Sequence, residues 1–143
     1  MVKKVLILCT GNSCRSIMAE ALINALGAGS YQAHSAGSAP TGIVHPQALA
    51  TLRNHHIPFD QVRSKSWDEF SDVAFDLIIT VCDQAAQESC PVRVGAHQRM
   101  HWSIPDPARV DGTPAEVIQA FEQAYEMLRT HIENELLSAF KQG

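Results

Sequence analysis

The residues with chemistry to offer begin at "CTGNSCRS", positions 9 to 16, where a cysteine is followed after five residues by an arginine. Gly11 lets the chain curl there, so successive N–H groups of Thr10, Gly11, Asn12, Ser13, Cys14 and Arg15 can turn inward as an anion nest. Arg15 adds a guanidinium fork suited to a tetrahedral oxyanion. The same surroundings lower a thiol pKa from about 8.5 into a range of about 3.5 to 7.5, which makes Cys9 a nucleophile facing the bound anion. Cys14, just before Arg15, reads as a loop-building residue. Far along the chain, Asp106 stands between Pro105 and Pro107. Both prolines favour extended backbone, a way to present a carboxyl group to a leaving oxygen. Two further cysteines, Cys82 and Cys90, complete the set of four.

These residues must be positioned by a single domain, because 143 residues with 45 % hydrophobic content are enough for one buried core and too few for two. "KKVLILC" is a short apolar run cut off by Thr-Gly-Asn-Ser, the signature of a strand buried on both faces. From Arg15 the period changes: Met18, Ala21, Leu22, Ala25 and Leu26 define one face of a helix that stops at Gly27. A shorter strand, "YQAHSAGS", precedes the helix "HPQALATLRNHHI", with Pro46 in its first turn. "FDLIITVC" predicts a strong third strand and "QRMHWSI" a fainter fourth. The final segment, positions 113 to 140, opens on a capping box of Thr113, Pro114 and Glu116 and carries a stripe of Val117, Phe121, Ala124, Leu128 and Ile132. Alternating strands and helices predict an α/β three-layer sandwich, a four-stranded parallel sheet in the order 2-1-3-4 with helices on both faces. That order puts the ends of strands one and three side by side, bringing Cys9 near Cys82 where such sheets bind ligands.

A formal charge of −4 provides no field to attract nucleic acid or an anionic membrane, so any anion must be held locally. The apolar run in "MVKKVLIL" is too short for a signal peptide and no later run reaches the roughly 20 residues of a membrane span. The cytosol is the expected location, where thiols stay reduced and are more often reactive than structural. Seven histidines are present but without metal-ligand spacing, and no metal site is expected.

"CTGNSCRS" with a late "DPA" resembles the low-molecular-weight protein tyrosine phosphatase superfamily. Within it, "SAGS", "VHP", "SKSWDEF", "TVCD", "SCP", "HW" and "PDPA" are similar to the arsenate reductases built on that fold. The resemblance spans nearly the whole chain. It implies that Cys9 is the nucleophile, Arg15 the oxyanion clamp and Asp106 the mobile acid, with Asn12 and Ser16 supporting the loop and the thiolate. It also implies arsenate as substrate, with phosphate or sulfate as competing anions. Electron count then separates two reactions. A phosphocysteine needs only water, whereas arsenic(V) can accept an electron pair when a second thiol attacks the sulfur of a Cys9 adduct. Cys82 fits that resolving role, and Cys90 fits the transfer of the disulfide to an external reductant. Were residues 82 to 90 helical, their Cα atoms would lie about 12 Å apart, against roughly 4.4 to 6.8 Å in a disulfide, so "DQAAQES" must deform on oxidation. Thioredoxin and a glutathione/glutaredoxin couple both stand as reductants, no bound cofactor is needed, and the chain is expected to act as a monomer. A tyrosine phosphatase using Cys9, Arg15 and Asp106 is the alternative, although Ala108-Arg109 replaces the aromatic pair after "DP" in those enzymes. A non-catalytic oxyanion or redox sensor is the third reading. In some relatives a potassium ion binds at positions matching Asn12, Glu20, Ser35 and Asp68, where four polar residues bracing the loop would serve equally.

Overall fold

The computed structural model describes residues 2–87 and 93–137. Four parallel strands, β1 (Lys3–Leu8), β2 (Tyr31–Ala36), β3 (Ala74–Thr80) and β4 (Arg93–His101), form a sheet in the order β2-β1-β3-β4, as expected. Consecutive strand residues face opposite sides, yet Val5, Leu6, Ile7 and Leu8 are all at most 1 % exposed. The central strand is therefore covered on both faces, which is why its sequence is apolar throughout.

Helix α1 (Arg15–Leu26) follows β1, α2 (Pro46–Asn54) follows β2, the four-residue α3 (Asp83–Ala86) follows β3, and α4 (Pro114–His131) closes the fold. Thr113 and Glu116 make the predicted capping box at the start of α4. Phe121, Ala124, Leu128 and Ile132 are buried along its inner stripe, while Val117 is half-buried. The helix continues into a wider π-type turn at Ile132–Leu137. Helix α2 is tied to α4 through His55, which stacks on Tyr125 with ring centroids 3.9 Å apart and meets Glu122 at 2.8 Å. Beyond the sheet, Phe70 packs edge-on against Phe75, and both rings lie beside His34.

Two expectations need correction. The single apolar face drawn for α1 is too narrow, since Ser16 through Ile23 are all buried. The helix is wedged between β2 on one side and α2 and α4 on the other, leaving no solvent face along its first two turns. Strand β4 begins at Arg93, before "QRMHWSI": Ala74 and Phe75 pair with Arg93 and Val94, an irregularity follows, and pairing resumes at Leu77 with Gln98. Such a bulge breaks the alternating pattern by which a strand is read.

Candidate active site

The switch between β1 and α1 builds the candidate anion loop. Cys9 N–H donates to Ala36 O at 3.3 Å, continuing the sheet for one residue, after which the chain turns. Its carbonyls point away from the turn: Cys9 O accepts from Asn12 N–H, Thr10 O from Ala39, Gly11 O from Thr41 and Ser13 O from His45, all at 2.9 to 3.1 Å. Asn12 N–H is spent on Cys9 O within the turn, so the N–H groups left to face an anion are those of Gly11, Ser13 and the residues that open α1. Asn12 takes a φ of 45°, the left-handed conformation that asparagine tolerates. Its side chain is fixed at both ends, donating to Ser16 Oγ and accepting from Lys65 N–H, each at 2.8 Å. No side chain caps the N-terminus of α1 at Cys14, so the first helical N–H groups remain available to an anion.

A residue that sequence reasoning passed over closes this loop from behind. A Cβ on Gly37 would stand 2.3 Å from Thr10 O and 2.4 Å from Cys9 O, so only glycine lets the loop lie against the end of β2. The signal was the glycine in "SAGS", at the end of the run read as the second strand.

The sheet order brings Cys9 and Cys82 together as expected. Both are 4 % exposed, at the ends of the paired strands β1 and β3, and each thiol is the largest influence on the other's titration. Cys82 Sγ also accepts from the N–H groups of Thr10 and Ala85, both at 3.4 Å, and lies 3.7 Å from Thr10 Oγ1. Together with Cys9, the largest influence, these donors bring Cys82 down to about 5. The expected low pKa of Cys9 is therefore corrected: with Cys82 as a thiolate beside it and burial around it, Cys9 is raised and keeps its proton. Thr10 is redirected as well, because its N–H and hydroxyl turn to Cys82 rather than into the nest. Cys14 is pushed up to about 11 by burial and by Asp106, whose Oδ1 lies 3.8 Å from its thiol. Ser13 sends its hydroxyl outward to Ile43 O.

Arg15 reaches across to the segment after β4, donating from Nη1 to Ile104 O at 2.9 Å and facing Asp106 from Nη2 at 3.5 Å. Its Nε–H is buried without a partner among the described residues, an orphan donor at the nest. Asp106 is extended between its prolines, accepts from Ala108 N–H at 3.0 Å and is also faced by Arg109 at 3.7 Å. A cavity of about 670 Å³ opens between Gly11, Arg15, Cys82, Asp83, Asp106 and Arg109. Cys90 lies outside the described residues, as does most of the "DQAAQES" stretch beyond α3.

The polar set suggested for an ion is only partly assembled. Ser35 Oγ donates to Glu20, but Asp68 is exposed, with its N–H donating to Ser66 Oγ. The buried ammonium of Lys65 lies at Glu20 instead.

The family described as low molecular weight phosphotyrosine protein phosphatase matches residues 4–141. An arsenate reductase of Halalkalibacterium halodurans is 36 % identical over 124 residues, 86 % of this chain and 88 % of the relative. A solved arsenate reductase in the phosphate-binding state superposes with a TM-score of 0.78 at 26 % identity, over 96 % of this chain and 98 % of that one. A thioredoxin-dependent arsenate reductase of Corynebacterium glutamicum has a TM-score of 0.70 at 25 % identity, over 96 % of this chain and 63 % of its own. The chain belongs to the low molecular weight phosphotyrosine protein phosphatase family and, within it, to the arsenate reductases.

Proposed function

We propose that the chain reduces arsenate to arsenite with Cys9 as nucleophile and Cys82 as the thiol that resolves the adduct. The observation carrying this reading is that a second buried thiol, Cys82, stands at the anion loop, its sulfur accepting from Thr10 N–H, the residue next to Cys9. A phosphatase has no use for a second thiol there, because water alone hydrolyses a phosphocysteine. Arsenate would be received by the inward N–H groups of the loop and by the orphan Nε–H of Arg15. As Cys9 attacks arsenic, its proton passes to the neighbouring Cys82 sulfur, and Asp106 supplies a proton to the departing oxygen, which leaves as water. Cys82 gives that proton to an oxygen bound to arsenic and, as the thiolate, attacks the Cys9 sulfur. The S–As bond breaks with its electron pair remaining on arsenic, which falls from +5 to +3 and departs as arsenite after protonation, while the two sulfurs become a disulfide.

Cys90 would next attack Cys82 to release Cys9, a step resting on its spacing from Cys82. The resulting disulfide is regenerated by an external thiol reductant. The thioredoxin-dependent Corynebacterium glutamicum neighbour favours a thioredoxin-type dithiol over a glutathione/glutaredoxin couple. No described helix is long and apolar enough to cross a membrane.

Arsenite released per enzyme in a single-turnover mix, with disulfides mapped by mass spectrometry, tests the scheme. Cys9→Ser should release none. Cys82→Ser should accept arsenate and stall, whereas Cys90→Ser should release one equivalent and rest as a Cys9–Cys82 disulfide. Repeated turnover by Cys82→Ser would show that external thiol resolves the adduct, and the resolving role would fall.

A further inference from the structure

Beneath the anion loop lies a buried ion pair that the reaction scheme does not use. Glu20 of α1 and Lys65 have side chains 6 % and 5 % exposed, with Lys65 Nζ 3.8 Å from Glu20 Oε1. A carboxylate at this depth is costly to charge unless a cation stands beside it. The ammonium also donates to Arg63 O at 3.0 Å, so it is held in place by its own turn of chain. The backbone of the same residue grips the loop. Lys65 N–H donates to Asn12 Oδ1 at 2.8 Å, at the left-handed residue on which the loop turns, and Lys65 O accepts from Gly37 N–H at 3.0 Å. Lys65 thus joins three pieces: the carboxylate on the helix leaving the loop, the turning residue of the loop, and the glycine against which the loop rests.

We propose that Lys65 is a positioning residue for the oxyanion loop, acting as a counter-cation built into the chain, so that Glu20 stays charged and in place without a dissolved cation. From the proposed function this takes only that the loop binds tetrahedral oxyanions. The other groups around the pair are Ser35, which donates to Glu20, Arg63 and Glu69 on the neighbouring turn, and His34 on β2, whose pKa burial and the Lys65 and Lys4 charges lower. A cavity of about 270 Å³ borders Glu20, between Asn24, His34 and Asp60, giving a small solute access once the ammonium is removed.

The test is the affinity of the full-length reduced chain for inorganic phosphate, measured by calorimetry in tetramethylammonium, sodium, potassium and methylammonium salts. The wild-type chain should bind equally in all four. Lys65→Ala should lose roughly ten-fold or more in tetramethylammonium, because an uncompensated buried carboxylate distorts what it touches. Potassium or methylammonium, small enough to replace the lost ammonium, should restore most of the affinity. The neutral pair Glu20→Gln/Lys65→Met should bind phosphate with no cation dependence. Unchanged affinity of Lys65→Ala in every salt would overturn the proposal, and so would a loss repaired neither by small cations nor by the double variant, which is the signature of packing alone. If Lys65→Ala does not fold, the double variant decides: a charge role requires that it fold and bind, and its failure overturns the proposal. Because the readout is phosphate binding, an absence of arsenate turnover in the wild-type chain bears on the reaction and not on Lys65.

Discussion

At the scale of single residues, the thiol that the sequence marks as nucleophile and the thiol that carries the charge are different. Cys9 has the position, at the start of the loop, but Cys82 has the donors, the N–H groups of Thr10 and Ala85, and its pKa is lowered while that of Cys9 is raised. Their reactivity should therefore split with pH. Cys82 lies at about 5 and Cys14 at about 11, so limited alkylation of the reduced chain near neutral pH should label Cys82, with peptide mapping as the check. Preferential labelling of Cys9 would place the thiolate there instead. The linkage to stability has a definite sign. The Cys82 pKa is depressed on folding, from its ordinary 9.0 to about 5, so its contribution is complete above about pH 9 and is lost as pH falls toward about 5. Cys82→Ser should then cost more stability at about pH 8 than at about pH 5, read from denaturant midpoints at the two values. None of this was legible in the sequence. A helix N-terminus and an arginine near Cys9 argue for a low pKa there, and only the register of β1 on β3 reveals that Thr10 and Ala85 turn their N–H groups to the other sulfur.

Elements were legible where one feature dominates. The double-sided burial of β1, the capping box of α4 and the strand order follow from apolar runs, a cap motif and the handedness of crossovers. Legibility failed where the cause lies across space. The full burial of α1 comes from three neighbours on different sides, and the early start of β4 from a bulge that hides its period. Lys65 was missed because a lysine in a polar stretch is read as exposed, and nothing local reveals a buried carboxylate on α1. Gly37 shows the same limit. Its conformation is ordinary, and what demands glycine is the backbone of the anion loop pressed against it. Gly37→Ala should displace that loop, costing about 1 to 3 kcal/mol of stability as an overpacked contact, and should weaken phosphate binding by a larger factor than Ser38→Ala beside it. Parallel thermal melts and phosphate titrations of the two variants check this, and equal effects would show that the close approach is not what the loop depends on.

For the molecule as a whole, a net charge of −4 and the anion site proposed here are reconciled by keeping the attraction short-ranged. The nest joins parts of the chain that are far apart in sequence: the end of β1, the turn after β2, the segment around Lys65, the start of α3 and the strap at Ile104 to Asp106. An anion that fills it should steady all of them against global unfolding, since the nest exists only in the folded chain. At about one hundred times its dissociation constant, a bound anion adds about 2.7 kcal/mol, which for a chain of this length is a rise of about 8 °C in Tm. Arg15→Lys keeps the charge but loses the fork and the orphan Nε–H, so at the same phosphate concentration it should lose most of that rise while its melting temperature without phosphate changes little. The measurement is a set of thermal melts across phosphate concentrations for both proteins. An undiminished rise in Arg15→Lys would mean that the anion is held by the backbone N–H groups alone, and the clamp assigned to Arg15 would have to be withdrawn.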